Sequence, residues 1–415
     1  MTRTLFSGGS VFDPEGLAVR AADLVLEDGR VVDVGPGLDG DEAIDVTGKT
    51  LLPGMFDCHT HVAMASFDPL KALSDPFSLQ FFYAVQNLRT TLDLGITTVR
   101  DAWGADAGVK AAVERGIVPG PRLRITISMV AQTGGHADDW ELCGGHNPSF
   151  VAHPGRPAGT VDGPENLRRV VRELIRAGAD GIKVAASGGV LSPNTDAHLA
   201  QLRLDELTAI VDEAAAANRW VMAHCHAADG VRNAVRAGVR SIDHGSFLDE
   251  DAVALMVERG TWLVPTLLAA RGVITAAEGG MQLPPGVLDK ARDAAARAAD
   301  SMRLAVTAGV PVAMGTDCPV SPHGTNLQEL QLMSDAGLGP AGALRAATLE
   351  AARLMRLDDE LGTFAPGKRG DVVVVSGDPF DLADYAGRIE QVWKDGVLVS
   401  RGASGVHLAG AHSPG

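Results

Sequence analysis

The chain is predicted to be an α/β protein, a (β/α)8 barrel of the TIM type carrying a small β-sandwich built from both chain termini. Three observations predict this. The middle of the chain alternates short apolar runs with amphipathic helical stretches, the order that builds a parallel sheet covered by helices. Both ends carry short strands broken by tight turns instead. The length of 415 residues exceeds the roughly 250 of a plain barrel by enough for one appendage.

At the N-terminal end the strand-like pieces are "TLFSGGSVFD", "ADLVLEDGRVVDVGPG" and "EAIDVTGKTLLPG", with "EDGR" a hairpin turn. The C-terminal end repeats the style in "GKRGDVVVVSGDP" and "IEQVWKDGVLVS", around a "KDG" turn. The chain is expected to leave this unit near Gly54 and return near Leu361, so that residues 1–54 and 361–415 form the small domain and 55–360 the barrel.

Within the barrel the expected strands are "LLPGMFDCH", "ITTVRDA", "RLRITISMV", "GIKVAAS", "WVMAHCH", "SIDHGS", "WLVPTLLA" and "VPVAMGTD". Helices such as "PENLRRVVRELIRAGA" and "RLDELTAIVDEAAAAN" lie between them, with apolar residues at i, i+3, i+4 and i+7. In such a barrel the C-terminal strand ends carry the active site.

Composition excludes several partners. The net charge of −16 and the absence of a basic block argue against nucleic acid and anionic membrane surfaces. Hydrophobic residues make up 46% and charged residues 21%, with no apolar run long enough to span a bilayer, so a soluble globular protein is expected. The opening "MTRTLFSGGSVFDPEG" has no signal-peptide core, which points to the cytoplasm. A small-molecule substrate and a homo-oligomeric state are the expected partners. Cys58, Cys143, Cys225 and Cys318 are scattered, so neither a disulfide framework nor a zinc ribbon is indicated; those beside His59, His224 and Asp317 read as small apolar filler.

Chemistry enters with "FDCHTHVAM". On a strand, His59 and His61 project to one side, so two imidazoles converge. Alone such a pair is ambiguous, because a metal site wants three or more ligands. Later strand ends supply them: Lys183 in "GIKVAASGG", His224 and His226 in "MAHCHAADG", His244 in "SIDHGS" and Asp317 in "MGTDCP". Imidazoles and carboxylates suit zinc, manganese or similar ions, and this set exceeds what one open tetrahedral ion needs. Two divalent ions are therefore expected. Such a pair wants a bridging anion, which Lys183 supplies if CO2 converts its amine to a carbamate; the bland alternative is a salt bridge from Lys183 to Asp317.

With these residues in view, the chain resembles the amidohydrolase superfamily, in its binuclear subtype with a carboxylated lysine. The likeness runs from "LLPGMFDCHTH" through "GIKVAASGGV", "VMAHCHAADGVRNAVRAGVRSIDHG", "LVPTL" and "GTDCP" to "GTFAPGKRGDVVVV". It is similar to the branch with Xaa-Pro dipeptidase-like and Xaa-Arg carboxypeptidase-like enzymes, ochratoxinase and imidazolonepropionase-related hydrolases. The resemblance implies that His59, His61 and Asp317 hold a buried metal, that His224 and His244 hold an outer one, and that Lys183 bridges them, with zinc the expected ion. It implies that Asp317 is the general base, taking a proton from a metal-bridging water as that water attacks a carbonyl.

The expected reaction is cleavage of an amide-type C–N bond in a dipeptide or N-acyl amino acid. A lactam, carbamate, thiocarbamate or urea-type bond is the alternative, and a non-catalytic scaffold the remote one. His136 in "TGGHADDW" matches a substrate-contacting histidine of the branch. His226 stands where many relatives carry a tyrosine, and is read as a substrate or second-layer contact. His146, His153, His198 and His323 fall in loops and read as solvated, and the 132–160 loop is long enough to cover the mouth. Arg100 and Asp101 in "TTVRDAW" read as a structural ion pair or strand-end hydrogen bonds.

Overall fold

A computed structural model describes residues 2–141 and 143–402. The terminal segments form two sheets. One runs Val397–Ser400, Ile389–Lys394, Val372–Ser376, Lys49–Pro53, Ser10–Asp13, Ala18–Ala21, and so joins strands from both ends of the chain. The other runs Arg30–Gly35, Asp23–Glu27, Thr4–Ser7, Glu42–Asp45. A single apolar cluster takes Phe6, Leu24 and Val31 from the second sheet and Leu51, Val372 and Val374 from the first. The expected turns are present: Asp28 and Gly29 sit at φ 49° and 75°, Asp395 and Gly396 at 51° and 72°, the left-handed pairs that two-residue hairpins require. Residues 403–415 of the expected terminal unit lie outside the described residues.

Parallel strands make up the middle. Arg122–Ile125, Ile96–Asp101 and Met55–Thr60 form one sheet; Met129–Val130, Gly181–Ala185, Trp220–Ala227, Ser241–Phe247 and Trp262–Val264 form another. Helices between them bury one stripe, as Pro164–Arg176 does with Leu167, Val170, Val171 and Leu174, and Pro164 opens that helix where its missing N–H costs nothing.

Three expected strands differ in detail. "RLRITISMV" splits in two because Ile127, at φ 70°, cannot continue an extended ladder. "WLVPTLLA" stops at Val264: Pro265 has no N–H to donate and Thr266 turns to φ 47°, so Leu267 starts a helix. "VPVAMGTD" is not a regular strand, yet its backbone bonds on both sides. Leu263 N donates to Pro311 O at 2.9 Å and Cys58 N to Met314 O at 2.8 Å, tying Trp262–Val264 to Met55–Thr60 through residues 311–317.

The parallel direction puts the C-terminal ends of these strands on one face. His59, Asp101, His224 and His226 fall in the C-terminal half of their strands, and Lys183 and His244 at the midpoint of theirs. No helix among the described residues is long and apolar enough to cross a membrane.

Candidate metal centre

The site is built on the buried Met55–Thr60 strand. His59 is 1% exposed and His61, just past the strand, 8%. The Nδ1 of each is engaged behind the site: His59 Nδ1 meets Asp243 Oδ2 at 2.7 Å, and His61 Nδ1 meets the carbonyl of Trp103 at 2.9 Å. Those bonds aim both Nε2 atoms at Asp317, whose Oδ1 lies 3.3 Å from His59 and 3.0 Å from His61. Lys183 Nζ sits 3.3 Å from His59 Nε2. Among the described residues no carboxylate comes within ion-pairing distance of that amine, so the salt bridge to Asp317 does not form in this arrangement.

The remaining imidazoles close the cluster. The His244 ring lies 4.9 Å from that of His59 and 4.5 Å from that of His224, and His244 Nδ1 is hydrogen-bonded with Thr266 Oγ1 at 2.6 Å. His226 stacks on His244 at 4.9 Å with its Nδ1 on Ser246 Oγ at 2.9 Å. His136 reaches over from its loop, its ring 4.1 Å from that of His224 and its Nδ1 2.6 Å from Ser192 Oγ. Gly189 makes room for it, since a Cβ there would lie 2.3 Å from His136 Nδ1. The structure thus brings every sequence-derived site residue into one cluster. His244, Thr266 and Asp317 all sit at positive φ (81°, 47° and 61°), a conformation that persists only where surrounding structure holds it.

The donor chemistry fits a divalent cation. Ligand atoms of His59, His244 and Asp317 lie within 4.8 Å of one another, and so do those of His224, His226 and His244. Burial and the neighbouring imidazoles hold His224 and His244 well below the usual histidine range, keeping them neutral as ligands must be. Burial likewise takes His136 to about 3 and His226 to about 4, and lowers Lys183 to about 8.

Several contributors were not evident from sequence. Arg100 does not pair with Asp101: it donates to Asp243 at 3.0 Å and to the Cys58 carbonyl at 2.5 Å, while Asp101 accepts the backbone N–H groups of Val62 and Ala105. Strand alternation sends neighbours to opposite faces, so the sequence pattern that points to His244 does not point to Asp243. Its signal is an acid beside a predicted ligand on a buried strand. His153 and His323 are half-buried rather than solvated, His153 packing against Phe77 and Phe81. Glu329, fully buried, accepts the N–H groups of Leu267 and Leu268 at 2.8 Å each and so anchors the helix that follows Thr266.

The family model described as "Amidohydrolase family" matches residues 50–400. The chain belongs to the amidohydrolase family.

This amidohydrolase is 32% identical to ochratoxinase of Aspergillus niger over 419 aligned residues, covering 95% of this chain and 86% of that one. Among solved structures it superposes on a Xaa-Pro dipeptidase with bound methionine at a TM-score of 0.87, with 32% identity and 95% and 99% of the two chains covered. A prolidase complexed with N-methylphosphonate-L-proline gives a TM-score of 0.88 at 36% identity, over 96% and 100%. The amidohydrolase is therefore an enzyme with a TIM-barrel type α/β fold, and its histidine and aspartate cluster has the composition of a metal site.

Proposed function

We propose that this enzyme hydrolyses an amide-type C–N bond of a dipeptide or N-acyl amino acid. The observation that carries the reading is the convergence of His59, His61, Lys183, His224, His244 and Asp317 at one end of a parallel strand set. The names of the relatives support it, since ochratoxinase, Xaa-Pro dipeptidase and prolidase all denote hydrolases. We read the parallel strands as one closed eight-stranded barrel over residues 55–360, and residues 1–54 and 361–415 as a sandwich domain, a division supported by the sheet shared between both chain ends.

Two divalent ions, with zinc the first choice, would be held by His59, His61 and Asp317 on one side and by His224 and His244 on the other, with carboxylated Lys183 between. When bound, such ions lower the pKa of water and polarise a carbonyl. The protein's own groups supply the rest. Asp317, in contact with both His59 and His61, accepts a proton from the attacking water and passes it to the leaving nitrogen. His136, half-buried, and His226, buried, both neutral, are positioned to donate hydrogen bonds to the carbonyl oxygen or to a carboxylate of the substrate.

Arg100 and Asp243 orient His59, and Thr266 orients His244. The test is release of free amino acid from panels of dipeptides and N-acyl amino acids by metal-loaded enzyme. Turnover of either panel is expected; turnover of lactams, carbamates or ureas alone would replace the reading.

A further inference from the structure

The cavity over the imidazole cluster has a volume of about 390 Å³. That is more than twice the roughly 150 Å³ of an apolar cavity able to hold benzene. The reacting amide therefore leaves space, and the lining of that space is uneven. Val190, Leu191, Val273, Leu283, Val287 and Val320 all line it and belong to one apolar cluster. They come from four places in the chain: the segment after the Gly181–Ala185 strand, the Leu267–Glu278 helix, the start of the Val287–Ala308 helix with the turn before it, and the residues just past Asp317. The last of these makes the apolar wall continuous with the proposed general base.

Free cationic charge is missing from this wall, while the rest of the cavity lining carries the carboxylates of Asp68, Asp138, Asp139, Glu141 and Asp317. Among the described residues that line the cavity there is no arginine, and the one lysine is Lys183, set against His59. Lys290 stands close by, but its ammonium is consumed: it donates to the carbonyls of Gly189 at 3.2 Å, Ser192 at 2.6 Å and Thr195 at 2.9 Å. An ammonium has three donors, so none remains for an anion. Instead, those three bonds pin the 189–195 segment, which carries Val190, Leu191 and the Ser192 hydroxyl that holds His136.

We propose that this wall is a subsite for a bulky apolar group, an aromatic ring or a branched or extended aliphatic chain, carried by one half of the amide substrate. The inference rests on the hydrolytic reading above and adds what the substrate must look like beside the bond. A substrate with only small or charged flanking groups leaves the wall wetted, whereas an apolar flank displaces that water. Each buried methylene then improves binding by a factor of about four.

Two measurements on the metal-loaded enzyme test this. The first is kcat/KM along two amide series, N-acylglycines with acetyl, butanoyl, hexanoyl and benzoyl groups, and N-acetyl derivatives of glycine, valine, leucine and phenylalanine. One series should climb about threefold to fourfold per methylene. Val190→Thr, which keeps the side-chain shape, and Leu283→Asn, in a half-buried turn, should each flatten that climb. The second is calorimetric binding of ethanol, butan-1-ol and hexan-1-ol, which offer no bond to cleave; the dissociation constant should fall with chain length and rise again in both variants. Turnover with both amide series flat overturns the subsite whatever the alcohols do. If no amide is cleaved, a steep alcohol series upholds the apolar wall while the hydrolytic reading fails, and a flat one removes both.

Discussion

Nδ1 of His59 lies 2.7 Å from Oδ2 of Asp243, and both side chains are closed off from solvent. Burial opposes ionisation of Asp243, but the Arg100 guanidinium and the His59 hydrogen bond hold the carboxyl below its usual range. A buried carboxylate behind an imidazole fixes its tautomer and raises its strength as a ligand. Asp243→Asn should therefore weaken metal binding by about ten- to a hundredfold, read as the chelator concentration that strips the ions. Unchanged chelator resistance would mean that His59 is not a ligand or needs no orientation.

Arg100 balances the Asp243 charge in a place water cannot reach. Removing only the cation, as in Arg100→Met, should cost about 3–5 kcal/mol of folding stability in urea titrations. Replacing both partners, Arg100→Met with Asp243→Leu, should recover much of that loss, because no bare charge is left behind. A double variant as unstable as the single one would place the cost in packing against Trp220, whose ring lies 5.4 Å from the Arg100 guanidinium.

Lys183 is 2% exposed and has His59 as its near neighbour. If its carbamate joins the two ions, Lys183→Ala should lose most activity and part of the bound metal, and acetate or propionate should restore a fraction of both. Full activity in the variant would remove the bridge.

Asp317 touches both His59 and His61 and sits at the apolar wall's edge. Asp317→Asn should lower kcat by at least about a hundredfold while the fold, read by circular dichroism, persists. Wild-type turnover would assign the proton transfer to His136 or His226.

Burial pushes Glu329 up to about 8, against the two backbone N–H groups it accepts. Its folded value exceeds the ordinary 4.5, so the folded state binds the proton more tightly between those values. The stabilisation is complete below pH about 4.5 and is lost as pH rises through about 8. Glu329→Gln has no proton to lose. Thermal melts from pH 5 to 9 should show the wild type losing ground to this variant as pH rises; parallel curves would mean that Glu329 is already ionised at pH 5.

Much of this was legible in the sequence. Histidines, a lysine and an aspartate at the ends of β-rich runs need no coordinates to suggest a mouth lined with ligands, because alternation along a strand and a shared strand direction are local rules. The paired hairpin turns at the two chain ends were equally readable, since left-handed Asp-Gly pairs have one use. Only tertiary structure decided which neighbours those ligands meet. Arg100 could be matched to the adjacent Asp101 by proximity in the chain, yet it reaches Asp243 across the interior.

His244 and Asp243 are consecutive, and alternation would assign only one of them to the site; Asp243 serves it through its bond to His59. The apolar wall is the clearest case: Val190, Val273, Leu283, Val287 and Val320 follow no single period, because they lie on four separate elements. Periodicity reports the face of one element, whereas a substrate pocket is a surface that several elements share, and their packing is set by contacts far apart in the chain.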